Sequence, residues 1–157
     1  MKEEQYTFNY KVFESIAELN TDDQLLLRAA QDAASSSYAP YSQFNVGAAA
    51  MLVNGEVVSG GNVENASFPA GLCAEGVVLA VASSRFPDTA IQTLAITYKS
   101  ANRASDKPIA PCGICRQSLQ EFKERTGAPV RLIMGGFSGY VFVVEDASLL
   151  MPLAFTF

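Results

Sequence analysis

The chain alternates between stretches of helical and strand periodicity. From Thr21 onward, Leu25, Leu26, Ala29, Ala30 and Ala33 recur at helical spacing, which predicts an amphipathic helix. Thr21-Asp-Asp-Gln24 matches a capping box at its start, and Ser35-Ser36-Ser37 with Pro40 ends it. Residues 44–53 read as a buried strand, Asn54-Gly55 as a hairpin turn and residues 56–59 as the return strand. Gly60-Gly61 breaks the pattern. Residues 71–82 are apolar nearly all round, as a buried helix requires, with Val77, Val78, Leu79 and Val81 as its core. Residues 91–98 are β-branched and free of breakers, so a strand is expected, followed by a polar loop over 99–107. Pro111 precedes a third helix running from Cys112 to about Arg125, and Gly127 fits the position just past its end. Residues 130–134 and 140–144 read as strands, with Gly135-Gly136 near the turn between them. The tail from Asp146 is apolar, and residues 1–20 are expected to form an N-terminal extension, partly ordered at best.

Helix, hairpin, helix, strand, helix, strand, strand is the order of an α/β fold with a single mixed sheet and helices on its faces. A length of 157 residues, 49% of them hydrophobic, fits one domain over 1–157 with a real core. The formal charge of −5 and a pI near 4.7 argue against a nucleic-acid partner, because an acidic surface repels phosphate backbones. No apolar run approaches the roughly 20 residues of a membrane span. The polar start has no signal-peptide core, so a cytoplasmic protein is expected.

The chain has three cysteines and no histidine. An odd count in a reducing compartment argues against a disulfide framework. The absence of histidine removes Ser-His and Cys-His nucleophile pairs. A general base must then be Glu, Asp, Lys or Tyr, or a water on a metal.

Cys112-Gly-Ile-Cys115 sets two thiols at i and i+3 in a first helical turn, on one face. A helix N-terminus stabilises thiolates there. Cys73 sits at the start of the preceding helix. Three thiolates make a soft ligand set suited to one zinc ion. No fourth cysteine and no histidine closes the set, and an open position for water is the mark of catalytic zinc. Glu75 lies two residues after Cys73. Both reach one site only if the ion lies off the helix end, which puts the carboxylate beside the water as a proton carrier. Taken singly, these residues have plainer readings. Cys73 would be a small core hydrophobe, Glu75 a helix-dipole partner, and the CxxC a redox pair. Three rival functions are a thiol redox protein, a non-catalytic zinc-stabilised domain and a polynucleotide deaminase. The joint spacing of Cys73-Ala-Glu75 and Pro111-Cys112-Gly-Ile-Cys115 favours a zinc deaminase.

Over residues 21–157 the sequence resembles the cytidine deaminase family in its small, three-cysteine, homotetrameric form. The carrying segments are Tyr38-Ala-Pro-Tyr-Ser42 with Phe44-Asn-Val-Gly47, Asn62-Val-Glu-Asn-Ala-Ser67, Cys73-Ala-Glu75, Pro111-Cys-Gly-Ile-Cys-Arg-Gln117, and Leu150-Met-Pro152 with Phe155. The resemblance implies a three-layer α-β-α sandwich and hydrolytic deamination of cytidine or deoxycytidine in pyrimidine salvage. It also implies a homotetramer with shared active sites. By it, Cys73, Cys112 and Cys115 hold zinc, Glu75 is catalytic, and Asn62 and Glu64 hold the ribose 3′-hydroxyl. Phe44 packs near the base, the Ala74 N–H faces the pyrimidine O2, the Ala110 carbonyl receives ammonia, and Phe155 reaches a neighbouring subunit's site. Three positions depart from the family pattern: Gly76 where Arg is usual, Phe68 where Tyr is common, and Thr156 where Gly follows the tail Phe. The missing Arg normally relieves the charge of three thiolates, and Arg116 is the expected substitute. Another substrate, such as a cytosine-bearing nucleoside antibiotic, is the alternative that Gly76 leaves open.

Overall fold

The computed structural model describes residues 1–157. Six strands form one sheet in the order β1-β6-β5-β4-β2-β3. These are β1 (Lys11–Phe13), β2 (Phe44–Leu52), β3 (Val57–Gly61), β4 (Ile91–Ser100), β5 (Arg131–Gly135) and β6 (Val141–Val144). Only β4 and β5 run parallel; every other neighbouring pair is antiparallel. Helix α1 (Thr21–Ser35) packs on one face, while α2 (Ala74–Arg85) and α3 (Gly113–Thr126) cover the other. The alternation along β4 shows why. Leu94 and Ile96 point into the core shared with α2 and α3, and Ala95 points to α1. The expected three-layer α/β sandwich is therefore present.

The direction of the chain through this face places the site. Helix α2 ends just before β4 begins, and α3 starts after β4 ends. Both helices therefore run opposite to β4, and their N-termini meet at the same end of the sheet. In the parallel β4-α3-β5 crossover, α3 starts at that end and carries the chain back to the opposite end, where β5 begins.

Several local expectations shift. Helix α1 is capped by Asn20 rather than Thr21: its Oδ1 accepts from the Asp23 N–H at 2.9 Å, and its Nδ2 donates to the Asp23 carboxylate. Asp23 also receives two guanidinium bonds of 2.7 Å from Arg131, which pin the helix start to β5. Leu25 faces solvent, and Leu27 takes the core position instead. Gly60 and Gly61 do not break the hairpin but complete β3. Gly61 pairs with Gly47 on β2. A Cβ on Gly47 would collide with the Ala30 carbonyl, and one on Gly61 with Ser37. The glycines are there so that α1 can lie close on the sheet.

The N-terminal extension is more ordered than its composition suggests. Residues 11–13 add an edge strand to β6, and Leu19 is buried. Ahead of β1, Tyr6, Phe8 and Tyr10 make successive ring contacts that end on Phe142 of β6, with centroids 6.4, 6.1 and 5.1 Å apart. At the other terminus, Asp146 caps a short 3-10 turn, Ala147–Leu150, and its carboxylate receives the Lys123 ammonium at 2.6 Å.

Candidate active site

Cys73 is the N-cap of α2 and Cys112 the N-cap of α3, both in extended backbone, with carbonyls that accept the first bond of each helix from the Val77 and Arg116 N–H groups. Because the two helix starts converge, Cys73 Sγ lies 3.8 Å from Cys112 Sγ. Cys115, one turn into α3, brings its Sγ to 3.5 Å from that of Cys112. All three sulfurs lie within 4.8 Å of one another. No cysteine is in a disulfide. Burial pushes the Cys73 and Cys115 thiols up, and the nearby Glu75 charge adds to this at both. At Cys112, burial is outweighed by hydrogen bonds from the Cys115 N–H, the neighbouring thiols and the Ile114 N–H, so this thiol is held below its usual range.

Glu75, the second residue of α2, is only 4% exposed. Burial raises its carboxyl above the usual carboxylate range, although its own N–H and the Cys115 thiol bond the charged form. A carboxyl with raised proton affinity beside three converging sulfurs can take up and return a proton.

Cys73, Cys112 and Glu75 line one cleft of about 940 Å3, together with Phe44, Asn62, Glu64, Ala74, Ala110, Phe68 and Ile114, and Cys115 is buried behind Cys112. Its walls are mostly apolar, and Glu64 and Glu75 are the only charged side chains among the lining residues apart from the thiols. Phe44 is backed by Tyr98, stacked at 5.0 Å with 20° between rings. The Asn62 side chain is partly occupied: Oδ1 accepts from the Val46 N–H at 2.8 Å, and Nδ2 donates to the Phe44 carbonyl at 3.1 Å. It bolts the loop after β3 onto β2 and keeps one amide proton and one lone pair free for a ligand. Glu64 Oε2 accepts from the N–H groups of Tyr41 at 2.8 Å and Ser42 at 3.2 Å. The Ser42 hydroxyl, and after it these two N–H groups, hold this carboxyl below the usual range. Tyr41 and Ser42 had no individual role in the sequence reading. Their signal is the Pro40 turn, which leaves backbone N–H groups unpaired.

One expected contact, from Arg116 to the thiols, is not made. The Arg116 guanidinium does not touch the thiols: Nε donates to the Pro111 carbonyl at 2.8 Å and Nη1 to the Leu150 carbonyl at 3.0 Å. Backbone N–H groups reach the Cys112 sulfur instead. The cause is tertiary, since the 3-10 turn at 147–150 presents its last carbonyl to α3. Phe155 does not line this chain's cleft. Its ring packs on Phe157 at 5.1 Å, and its carbonyl accepts from Gln117 at 2.8 Å. At Gly76 a Cβ would meet nothing within 4 Å, so a side chain could start there without a clash.

Residues 20–127 match the sequence model of the cytidine and deoxycytidylate deaminase zinc-binding region. A cytidine deaminase of Halalkalibacterium halodurans is 36% identical over 137 residues, covering 86% of this chain and 95% of that protein. One from Mycobacterium tuberculosis is 39% identical over 102 residues, covering 65% of this chain and 72% of that protein. The crystal structure of the Burkholderia pseudomallei cytidine deaminase is 34% identical and superposes with a TM-score of 0.72, over 87% of this chain and all of the other. A zinc-ready trio of thiols, a buried carboxylate between two helix starts and this likeness over most of its length agree: the chain belongs to the cytidine and deoxycytidylate deaminase family.

Proposed function

We propose that this protein hydrolyses the 4-amino group off cytidine and deoxycytidine, giving the corresponding uridines and ammonia. The observation that carries the reading is the meeting of three clustered thiols with a buried carboxylate, two of the thiols and the carboxylate opening on one mostly apolar cleft. The named relatives support cytidine as the substrate.

In this reading Cys73, Cys112 and Cys115 hold one zinc ion per chain. Bound there, zinc supplies a Lewis acid that makes water nucleophilic near neutral pH. Glu75 takes the proton that the water gives up and delivers it to the ring N3. The water oxygen bonds C4; Glu75 then carries the remaining hydroxyl proton to the 4-amino nitrogen, the C4–N4 bond breaks as the C4 carbonyl forms, and the nitrogen leaves as ammonia towards the Ala110 carbonyl. The Ala74 N–H, in the first turn of α2 where N–H groups lack helical partners, faces O2. Phe44 packs against the base with Tyr98 behind it. Glu64 and the free donor and acceptor of Asn62 hold the ribose 3′-hydroxyl. Ammonia release by zinc-loaded protein tests this across cytidine, deoxycytidine, cytosine, dCMP and a cytosine-bearing antibiotic. Turnover of the first two is expected. Stoichiometric zinc with no turnover of either contradicts it.

The same reading makes the chain a single domain that assembles as a homotetramer with shared active sites. In support, Leu153, Phe155 and Phe157 end the chain exposed, an apolar group of the kind that marks an interface. A monomer in sedimentation that keeps full activity contradicts it. We place the enzyme in the cytoplasm, in pyrimidine salvage, with no nucleic-acid partner. The unpaired cysteines and the absence of any helix long and apolar enough to cross a membrane support that placement.

A further inference from the structure

Cys112 is the N-cap of α3, and its carbonyl accepts the first bond of the helix from the Arg116 N–H at 2.9 Å. Pro111, one residue earlier, lies outside that ladder and brings no N–H to hold the Pro111-Cys112 turn. The structure holds that turn from another direction. Arg116 spans two carbonyls, Pro111 at 2.8 Å and Leu150 at 3.0 Å. The carbonyl next to Leu150, that of Leu149, accepts the Tyr6 hydroxyl at 2.8 Å. Tyr6 in turn begins the aromatic ladder to Phe142, and β1 follows it onto β6. Leu149 and Leu150 pack their side chains against the core beneath α2 and α3. This N-terminal arm precedes the residues matched by the family model.

We propose that Arg116 is a positioning residue that sets Cys112 and Ala110 through the Pro111 carbonyl, and that the N-terminal arm braces it through Tyr6 and the Leu149-Leu150 segment. Ala110 lines the cleft next to Pro111, and Cys112 follows it, so one carbonyl anchor aims both a ligand thiol and a cleft-wall carbonyl. Arg suits the task because its planar fork donates in two fixed directions, whereas Lys is a single compact donor. The inference rests on reading the three cysteines as zinc ligands.

The test compares zinc-loaded wild type with Arg116→Ala, Arg116→Lys, Tyr6→Phe and the Tyr6→Phe/Arg116→Ala double variant. Three readouts are followed: zinc release to a chromogenic chelator, the thiolate-to-metal absorption of the cobalt-substituted protein, and kcat and KM for cytidine. Arg116→Ala is expected to release zinc about 10- to 100-fold faster, as for other groups that orient metal ligands. It should also shift the cobalt band and lower kcat with little change in KM. Arg116→Lys should recover part of each. Tyr6→Phe should speed release by about 2- to 10-fold, the scale of one hydrogen bond. Added to Arg116→Ala it should do nothing further, because the link is already cut. A folded Arg116→Ala with wild-type release and cobalt spectrum overturns the positioning role. An equal Tyr6→Phe effect in both backgrounds overturns the brace. If Arg116→Ala does not fold, wild-type behaviour of Arg116→Lys and Tyr6→Phe overturns the proposal, and faster release in both supports it. Wild type without stoichiometric zinc defeats the ligand reading itself, and the proposal falls with it.

Discussion

The sulfurs of Cys73 and Cys112 stand 3.8 Å apart although 39 positions separate them in the chain. Each caps a different helix, and the path α2-β4-α3 delivers both caps to one end of the sheet. Removing one sulfur therefore opens the metal set without touching the core between helices and sheet. Cys112→Ala is expected to fold but to retain zinc at least about 100-fold less well, more than the loss of an outer contact costs. Thermal stability should fall as well, because metal binding energy is part of folding energy. Metal analysis and a melting curve on protein purified without chelator check both. Wild-type zinc content in the variant refutes the ligand assignment.

Glu64 and Glu75 are the only carboxylates lining the cleft, and no Lys or Arg lines it to offset either. A 3′-phosphate brought against Glu64 is expected to lose about 100-fold in kcat/KM, between the limits of solvent and protein-surface screening. Glu64→Gln should narrow that gap. Because the Ser42 hydroxyl and the Tyr41 and Ser42 N–H groups lower its pKa from 4.5, Glu64 stays charged at every pH above that value. Glu64 therefore adds no pH dependence of its own above about pH 5, and the discrimination should rise only with the second ionisation of the phosphate, at about pH 6. Comparable efficiency on a 3′-phosphorylated substrate refutes this role.

Gly76 leaves the thiol cluster without an adjacent cation, and the guanidinium of Arg116 points away from it. Since a Cβ there meets open space, Gly76→Arg is expected to fold and to gain up to about 1 kcal/mol from the lost flexibility of glycine within a helix. Its charge should also slow zinc release by about 10-fold, the lower end of such tuning effects. Parallel measurement of Gly76→Ala separates the two contributions, since Ala supplies the helix term alone. Equal zinc release from both variants contradicts the charge argument.

The helices, the central strands and the thiol trio were legible because each is written in local spacing: 3.6-residue periodicity, β-branched runs, and CxxC behind a proline. Features set by partners far along the chain were not. The three-residue strand β1 is held by β6, which lies about 130 positions away. Arg116 is aimed by a carbonyl 34 positions away. Gly60-Gly61 reads locally as a breaker, yet it sits in β3 because α1 and Val77 of α2 approach the sheet too closely for side chains. Gly47 makes the sharpest check of that explanation. A methyl group there would meet the backbone of Ala30 and Ala34 rather than a movable side chain. Gly47→Ala is expected to cost about 3 kcal/mol in a denaturant melt, the upper part of the usual overpacking range. A neutral result contradicts the close approach.

The most direct test concerns Glu75, which is buried beside the thiols and assigned to proton transfer rather than to metal binding. Glu75→Gln preserves shape and removes the proton acceptor. Cytidine turnover is to be measured on this variant at verified zinc content. Zinc at one per chain with kcat lowered at least about 100-fold, the scale of a lost general acid–base, is expected. Wild-type turnover at full zinc content would contradict the mechanism, and loss of zinc would make Glu75 a ligand instead.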